Sequence, residues 1–100
     1  MMRFSVLARR ELYRVAAKYE RTSPGLGDRF LDDATRTIAF IKNFPEARQA
    51  KPGGVRFWPM STFPYGLLYA VEPTFTVILA VGHIRRGPKY WLRVQRRSRV

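Results

Sequence analysis

Three side chains suited to acid–base and phosphate chemistry follow one another closely late in the chain: His83, Arg86 and Tyr90. An imidazole titrates near neutrality and can take the proton of a ribose hydroxyl, an arginine can neutralise a phosphate, and a phenol can assist proton transfer. Together these groups would meet the chemical requirements for cleaving RNA, with His83 as the base. The chain has a single histidine, however, and such a residue can equally cap or pack at the end of a strand.

The same part of the chain offers groups for binding without catalysis. Basic and aromatic side chains on loops at the end of a sheet commonly bind partners. The candidates for contact with a target or a nucleic acid are Arg56, Arg85, Arg86, Lys89, Tyr90 and Trp91. Arg56 lies on a predicted strand, where a structural ion pair is an equal alternative to ligand binding.

The charge distribution supports a polyanionic partner. The chain carries 19 Lys and Arg against 7 Asp and Glu, a formal net charge of +12. All of the acids lie at or before Glu72, and only basic charges follow it. A charge block at one end favours binding to a nucleic acid or an acidic protein segment over an evenly solvated surface. A module that only binds nucleic acid is thus one hypothesis, although the sequence has no recognisable reading helix.

Composition limits the class of protein further. Without cysteine the chain forms neither disulfides nor thiolate metal sites, and one histidine excludes a multi-histidine site, so we expect no metal and no cofactor. The apolar stretch at residues 77–81 is too short to span a bilayer, and the one at the N-terminus is too short for a secretory signal. We therefore expect a cytoplasmic protein with one domain at residues 1–92 and a basic tail at residues 93–100.

Hydrophobic periodicity in the first half predicts one short strand and two helices. Alternation of apolar and polar residues indicates a strand at residues 4–8, and apolar residues at helical spacing indicate helices at residues 9–21 and 24–44. Ser23 is expected to cap the second helix, with Pro24 at its first position. The solvent-facing side of this helix is expected to carry Asp28, Asp32, Asp33 and Arg36.

The second half predicts a three-stranded antiparallel meander, with strands at residues 55–58, 65–71 and 75–83. The last of these is apolar over nearly all its length, which is typical of a strand buried on both faces. We expect the N-terminal strand to join the same sheet and the helical hairpin to cover one of its faces. The predicted fold class is therefore α+β.

Three sequence motifs, taken in order, resemble those of the ParE/RelE toxin superfamily. They are Pro-Gly-Leu-Gly before Arg-Phe-Leu (residues 24–31), Phe-Pro-Tyr-x-Leu-x-Tyr (residues 63–69) and His-x-Arg-Arg-x-Pro-x-Tyr-Trp (residues 83–91). The last two motifs are specific in combination, and the resemblance extends over residues 3–93. It implies a toxin of a type II toxin–antitoxin pair that is neutralised in a hetero-oligomer with its cognate antitoxin protein, without a membrane partner.

The superfamily has two main activities, and the resemblance leaves both open. RelE-like members cut messenger RNA on the ribosome, whereas ParE-like members inhibit DNA gyrase without catalysing hydrolysis. Where the ribonucleases carry an arginine and a second basic residue, this chain has Gly66 and Ile84, neither of which can stabilise a phosphorane. We therefore expect gyrase to be the target, with RNA cleavage as the alternative. Trp58, Phe63, Tyr65 and Tyr69 are expected to line the antitoxin groove or to belong to the core.

Overall fold

The structure, a computed structural model, describes residues 1–86, 90 and 93. One short strand is followed by two helices and then by three strands, which is the predicted α+β order. The elements are β1 (Met2–Phe4), α1 (Val6–Thr22), α2 (Leu26–Asn43), β2 (Val55–Pro59), β3 (Tyr65–Val71) and β4 (Thr76–His83).

All four strands form one sheet in the order β1-β4-β3-β2. The strands β2, β3 and β4 pair antiparallel as a meander, and β1 pairs parallel with the first half of β4. The prediction that the N-terminal strand joins the meander is therefore confirmed. Because β4 lies between β1 and β3 and is buried over residues 78–82, its nearly continuous apolar sequence is explained.

The boundary between β1 and α1 differs from the prediction of a strand at residues 4–8. The strand ends at Phe4, and Ser5 caps the helix by accepting a hydrogen bond from the backbone N–H of Ala8 at 3.0 Å. The Ser5 hydroxyl also donates to the carbonyl of Leu79 at 3.0 Å, which fixes the start of α1 on the sheet. Alternation over five residues does not distinguish a strand from a strand end followed by a capped helix.

The turn between the helices also differs from the predicted cap at Ser23 and Pro24. The second helix begins at Leu26, and its N-cap is Gly25 with a φ of 88°, a left-handed conformation that favours glycine. The Glu20 carboxylate, in the last turn of α1, accepts hydrogen bonds from the backbone N–H groups of Gly25 and Gly27. A longer-range carboxylate thus replaces the local side-chain cap.

The helical hairpin covers one face of the sheet and forms the larger core with it. The largest fully buried side chains on this face are Phe30, Ile41, Leu67, Tyr69 and Ile78. The opposite face carries a smaller cluster made of Val55, Leu68, Ala70, Leu79 and Ala80, against which Leu7, Phe57, Val77 and Tyr90 pack. The prediction that the helices pack on one face is confirmed.

One predicted surface residue of α2 is in fact completely buried. Asp33 has no exposed area, and its Oδ2 accepts hydrogen bonds from the backbone N–H groups of Thr62 (2.9 Å) and Phe63 (3.0 Å). Burial by itself raises the pKa of Asp33, but these bonds, a contribution from Ser61 and the nearby Arg36 outweigh it and lower the pKa. The carboxylate therefore fastens the loop between β2 and β3 to α2.

Candidate functional site

A groove of about 300 Å³ lies between α1 and the C-terminal end of β4. We call it the basic groove. It contains the three residues that the sequence proposed for RNA chemistry, so the structure does bring that set together. The charged and aromatic residues that line it are Glu11, Arg14, Lys18, Arg21, Tyr65, His83, Arg86 and Tyr90.

The α1 wall of the basic groove contributes cations that the sequence analysis did not single out. Arg14, Lys18 and Arg21 are exposed and spaced by four and three residues, so they lie along one side of the helix. The buried residues that hold α1 on the sheet lie on an adjacent side of the helix, and two of them, Glu11 and Val15, also line the groove. A charged helix face is ordinarily only a solvent-exposed surface. This face differs because it lies beside His83 and Arg86 in the groove.

The floor of the basic groove contains a buried carboxylate, Glu11. Its Oε1 accepts a hydrogen bond from the backbone N–H of Val81 at 3.0 Å, and its Oε2 accepts one from the Tyr90 hydroxyl at 2.9 Å. Because β1 pairs only with residues 76–78 of β4, the N–H of Val81 lies beyond the end of that short strand. Glu11 supplies the acceptor that a longer β1 would have supplied.

Tyr90 is held in a state that is unsuited to releasing a proton near neutrality. Burial raises its pKa, and the hydrogen bond to Glu11 and the charge of Glu11 raise the pKa further, against smaller opposing effects of Arg86 and Arg14. The guanidinium carbon of Arg86 lies 4.4 Å from the centre of the Tyr90 ring. The phenol is thus fixed between a carboxylate and a guanidinium.

The side chain of His83 is held in place by Tyr65 and by the backbone of Arg85. Its ring packs edge to face on Tyr65, with the ring centres 5.3 Å apart, and its Nδ1 accepts a hydrogen bond from the backbone N–H of Arg85 at 3.1 Å. In this arrangement a neutral ring carries its proton on Nε2, and the nitrogen that could act as a base is already occupied. The Arg85 side chain is exposed beside the basic groove and does not line it.

Arg56 lies away from the basic groove, on the edge strand β2. It pairs with Tyr69 on β3, whereas His83 pairs with Tyr65, and four residues of strand separate these positions by about 13 Å. Its guanidinium donates to the carbonyls of Glu46 and Arg48 and so holds the loop before β2. Lys89 and Trp91, two further residues proposed for target binding, lie outside the described residues.

The four residues expected in an antitoxin groove occupy three different environments. Phe63 and Tyr65 pack with Tyr19 and Phe30, at ring-centre distances between 4.8 and 6.1 Å. Trp58 is half-buried and stacks on the exposed Phe40 at 5.8 Å, with the guanidinium carbon of Arg48 4.9 Å from its ring.

Tyr69, the fourth of these residues, belongs to the core. It has no exposed area, and its hydroxyl donates to the carbonyl of Pro45 at 2.8 Å. A fully buried side chain offers no surface to a partner protein. The half-buried Trp58 and the exposed Phe40, in contrast, form a stacked pair that is accessible from outside.

The position at which the ribonucleases carry an arginine has no room for a side chain. A Cβ atom added to Gly66 would lie 2.3 Å from Cζ of Phe57 and 2.7 Å from the carbonyl oxygen of Trp58. The Phe57 ring on the neighbouring strand therefore fills the space that a side chain at position 66 would need. Ile84, the second departure from the ribonuclease pattern, is 50% exposed.

In residues 1–86, 90 and 93, no three His, Cys, Asp or Glu side chains are grouped so that they could hold a metal ion. None of the helices described there is long and apolar enough to cross a membrane.

The fold is a four-stranded sheet with a helical hairpin packed on one face. The family model described as "ParE toxin of type II toxin-antitoxin system, parDE" matches residues 2–88. The chain therefore belongs to the ParE toxin family. This finding confirms the resemblance proposed from the sequence motifs and assigns it to the ParE side of the superfamily.

A solved structure supports the same fold. This chain is similar to a chain described as "Chromosomal ParDE TA system from P. aeruginosa", with a TM-score of 0.73 over 82% of this chain and 92% of that one. Sequence identity is 15%, so the similarity supports the fold and not the residues of the site. The comparison with curated protein sequences gave no match.

Proposed function

We propose that this type II toxin inhibits DNA gyrase by binding it and does not cleave RNA. The observation that carries the proposal is the packing of Phe57 into the side-chain space at Gly66, which leaves no place for the arginine of the ribonuclease site. An enzyme that cleaves RNA needs a cation at the developing phosphorane charge. A protein that poisons gyrase by binding to it needs no such cation.

The state of the remaining candidate groups supports the same conclusion. The hydroxyl proton of Tyr90 is donated to Glu11, and Nδ1 of His83 accepts from a backbone N–H, so the acid and the base are both engaged inside the protein. General acid–base catalysis requires these atoms to be within reach of the substrate. The basic groove therefore supports binding better than it supports proton transfer.

The direct test is a supercoiling assay with purified toxin, gyrase and relaxed plasmid. We expect inhibition of supercoiling and accumulation of cleaved plasmid, because a gyrase poison acts on the enzyme–DNA complex. In cells, thymidine incorporation should stop before methionine incorporation after the toxin is induced without its antitoxin. An early stop in methionine incorporation with unaffected gyrase would contradict the proposal.

The alternative, ribosome-dependent RNA cleavage, is favoured by one observation: His83, Arg86 and Tyr90 line the same groove. The double variant His83→Ala with Tyr90→Phe separates the two functions. If the toxin acts on gyrase without catalysis, the variant keeps its toxicity once its folding is confirmed. If the toxin is a ribonuclease, the variant loses toxicity, because general acid–base catalysis contributes about 100-fold or more to such reactions.

We further infer that a cognate antitoxin covers the aromatic pair formed by Phe40 and Trp58. Phe40 is 43% exposed, and a stacked pair of this kind beside an arginine is typical of a protein-binding surface. Trp58→Ala should weaken neutralisation and antitoxin binding at least about tenfold. The control Tyr13→Ala, an aromatic residue of α1 that is 59% exposed, should leave binding nearly unchanged. Removal of the antitoxin's tail should restore toxicity.

A further inference from the structure

The α1 wall of the basic groove carries a row of three cations. Arg14, Lys18 and Arg21 together span roughly 10 Å along the helix axis. Across residues 1–86, 90 and 93, no carboxylate forms an ion pair with any of the three. Like charges spaced this way on a helix repel one another, so the row costs stability unless an anion binds along it.

The rest of the basic groove does not neutralise this row. Arg86 adds a cation at the opposite wall, and Glu11 is the one acid among the described residues that line the groove. Four cations and one carboxylate give a net charge of +3. Because Glu11 is 5% exposed and both of its oxygens already accept hydrogen bonds, the field that reaches a ligand is positive.

Aromatic rings lie directly beside these cations. His83 and Tyr65 belong to the groove lining, with their rings in an edge-to-face contact. Cations that follow a phosphate backbone, next to rings on which bases stack, are the two components of single-strand nucleic-acid sites. An acidic peptide would also be attracted by the cations, so it is included among the probes below.

The size of the groove favours one strand over two. Its volume of about 300 Å³ is at the lower end of the range of ligand sites. A double helix keeps its bases inside and presents a wide, convex backbone, which does not enter a cleft of this size. An unpaired strand can place a base in the groove and its phosphates outside it, along α1.

We propose that the basic groove binds a single strand of nucleic acid. The phosphates lie along Arg14, Lys18 and Arg21, and a base lies against the rings of His83 and Tyr65. This binding site goes beyond the proposed inhibition of gyrase and does not depend on it. It needs no cleavage of the strand, which agrees with the filled space at Gly66.

The test measures the binding of the full chain to fluorescent strands by anisotropy at about 50 to 200 mM salt. The probes are oligo-dT and oligo-U of about 15 nucleotides, the corresponding duplex, an abasic strand and a poly-glutamate peptide. The groove variant combines Arg14→Gln, Lys18→Gln and Arg21→Gln. The control variant removes the same charge at exposed positions outside the groove, with Arg9→Gln, Arg29→Gln and Lys42→Gln.

We expect wild type and control to bind at least one single strand more tightly than the duplex, the abasic strand and the peptide. The groove variant should bind that strand at least about tenfold more weakly. The slope of its log K against log salt should also be less steep by about 2, because each of three lost phosphate contacts contributes about 0.7 on a single strand. His83→Ala should weaken binding to the strand about fivefold but leave the abasic strand unaffected.

Three results would overturn the proposal. Equal losses in the groove and control variants would mean that only net charge matters. Preference for the peptide, lost in the groove variant, would identify the groove as a site for an acidic protein segment. No measurable binding to either strand at about 50 mM salt would leave the groove without a nucleic-acid function. Inhibition of gyrase by the groove variant is measured in a separate assay, so that failure of the strand-binding proposal can be told apart from failure of the gyrase proposal.

Discussion

Each helix of this toxin buries one carboxylate, and the two carboxylates serve different regions. Asp33 on α2 accepts hydrogen bonds from two successive backbone N–H groups of the β2–β3 loop and lies in the interior. Glu11 on α1 accepts one backbone hydrogen bond from β4 and one from the Tyr90 hydroxyl, at the floor of an open groove. Both are acids in a chain of net charge +12.

The two carboxylates therefore have different roles: Asp33 serves the fold, whereas Glu11 serves both the fold and the basic groove. All the hydrogen bonds to Asp33 are internal, so its contribution appears in the free energy of unfolding. Glu11 joins the sheet to a side chain that lines the basic groove, so its contribution appears both in stability and in the shape of the groove. Substitutions at the two positions therefore differ in kind as well as in size.

The largest effect is expected for Asp33→Ala. Two backbone N–H groups, of Thr62 and Phe63, would lose their charged acceptor, and a hydrogen bond to a charged group contributes about 1.5 to 3 kcal/mol. We expect the free energy of unfolding to fall by about 3 kcal/mol, measured by urea denaturation. The exposed neighbour Asp32→Ala is the control and should change the value by less than about 0.5 kcal/mol. A loss as small as that of the control would refute the structural role of Asp33.

A smaller effect is expected for Glu11→Gln. The amide oxygen can still accept from the N–H of Val81, but only one oxygen remains for the two donors. We expect a loss of about 1 to 2 kcal/mol. Amide hydrogen exchange at Val81 should also become faster, because its hydrogen bond is weakened. Unchanged exchange at Val81 together with unchanged stability would show that Glu11 does not serve the β4 edge.

Tyr90→Phe should cost less again, about 1 kcal/mol, because it removes one hydrogen bond and leaves Val81 paired with Glu11. Exchange at Val81 should stay slow in this variant, in contrast with Glu11→Gln. Gyrase inhibition should persist. If Tyr90→Phe accelerated exchange at Val81 as much as Glu11→Gln, the two hydrogen bonds of Glu11 would act as one unit.

The smallest effect concerns pH. The pKa of Asp33 is lowered in the folded state, so on acidification the unfolded chain takes up this proton first. The stability contributed by the charged carboxylate is complete above the unfolded pKa of about 3.9 and is lost as pH falls through the folded pKa. Unfolding free energies measured below pH 5 should therefore decline less steeply for Asp33→Asn than for wild type. Equal slopes would contradict the assignment.

The sequence predicted the architecture well because its apolar spacing is regular. The stripe on α2 and the nearly continuous apolar run of β4 depend on burial, which periodicity reports directly. The element ends were predicted less well, since Ser5 and Glu20 act through specific hydrogen bonds that periodicity does not contain. The prediction of an N-cap at Ser23 was wrong, and the Glu20 carboxylate binds the N–H groups at the start of α2 instead.

The candidate site was predicted only in part, because some of its residues are close in sequence and others are brought together by the tertiary structure. His83, Arg86 and Tyr90 are close in sequence and follow one strand, so their placement in one groove could be expected. Arg14 and Lys18 come from a helix whose charged face looks like an ordinary solvated surface, and only the tertiary structure sets it beside β4. The burial of Asp33 and of Tyr69 likewise depends on backbone groups far away in sequence.

The parallel pairing of β1 with β4 has a consequence for the order in which the toxin is assembled on the ribosome. Met2 pairs with Thr76, and Glu11 meets Val81 across 70 residues of chain. Contacts of such separation form late, because closing a long loop costs entropy before any contact stabilises it. The helical hairpin can form while synthesis continues, but the basic groove has no second wall until β4 has emerged. A chain that stalls before its last strand is therefore a toxin without its groove.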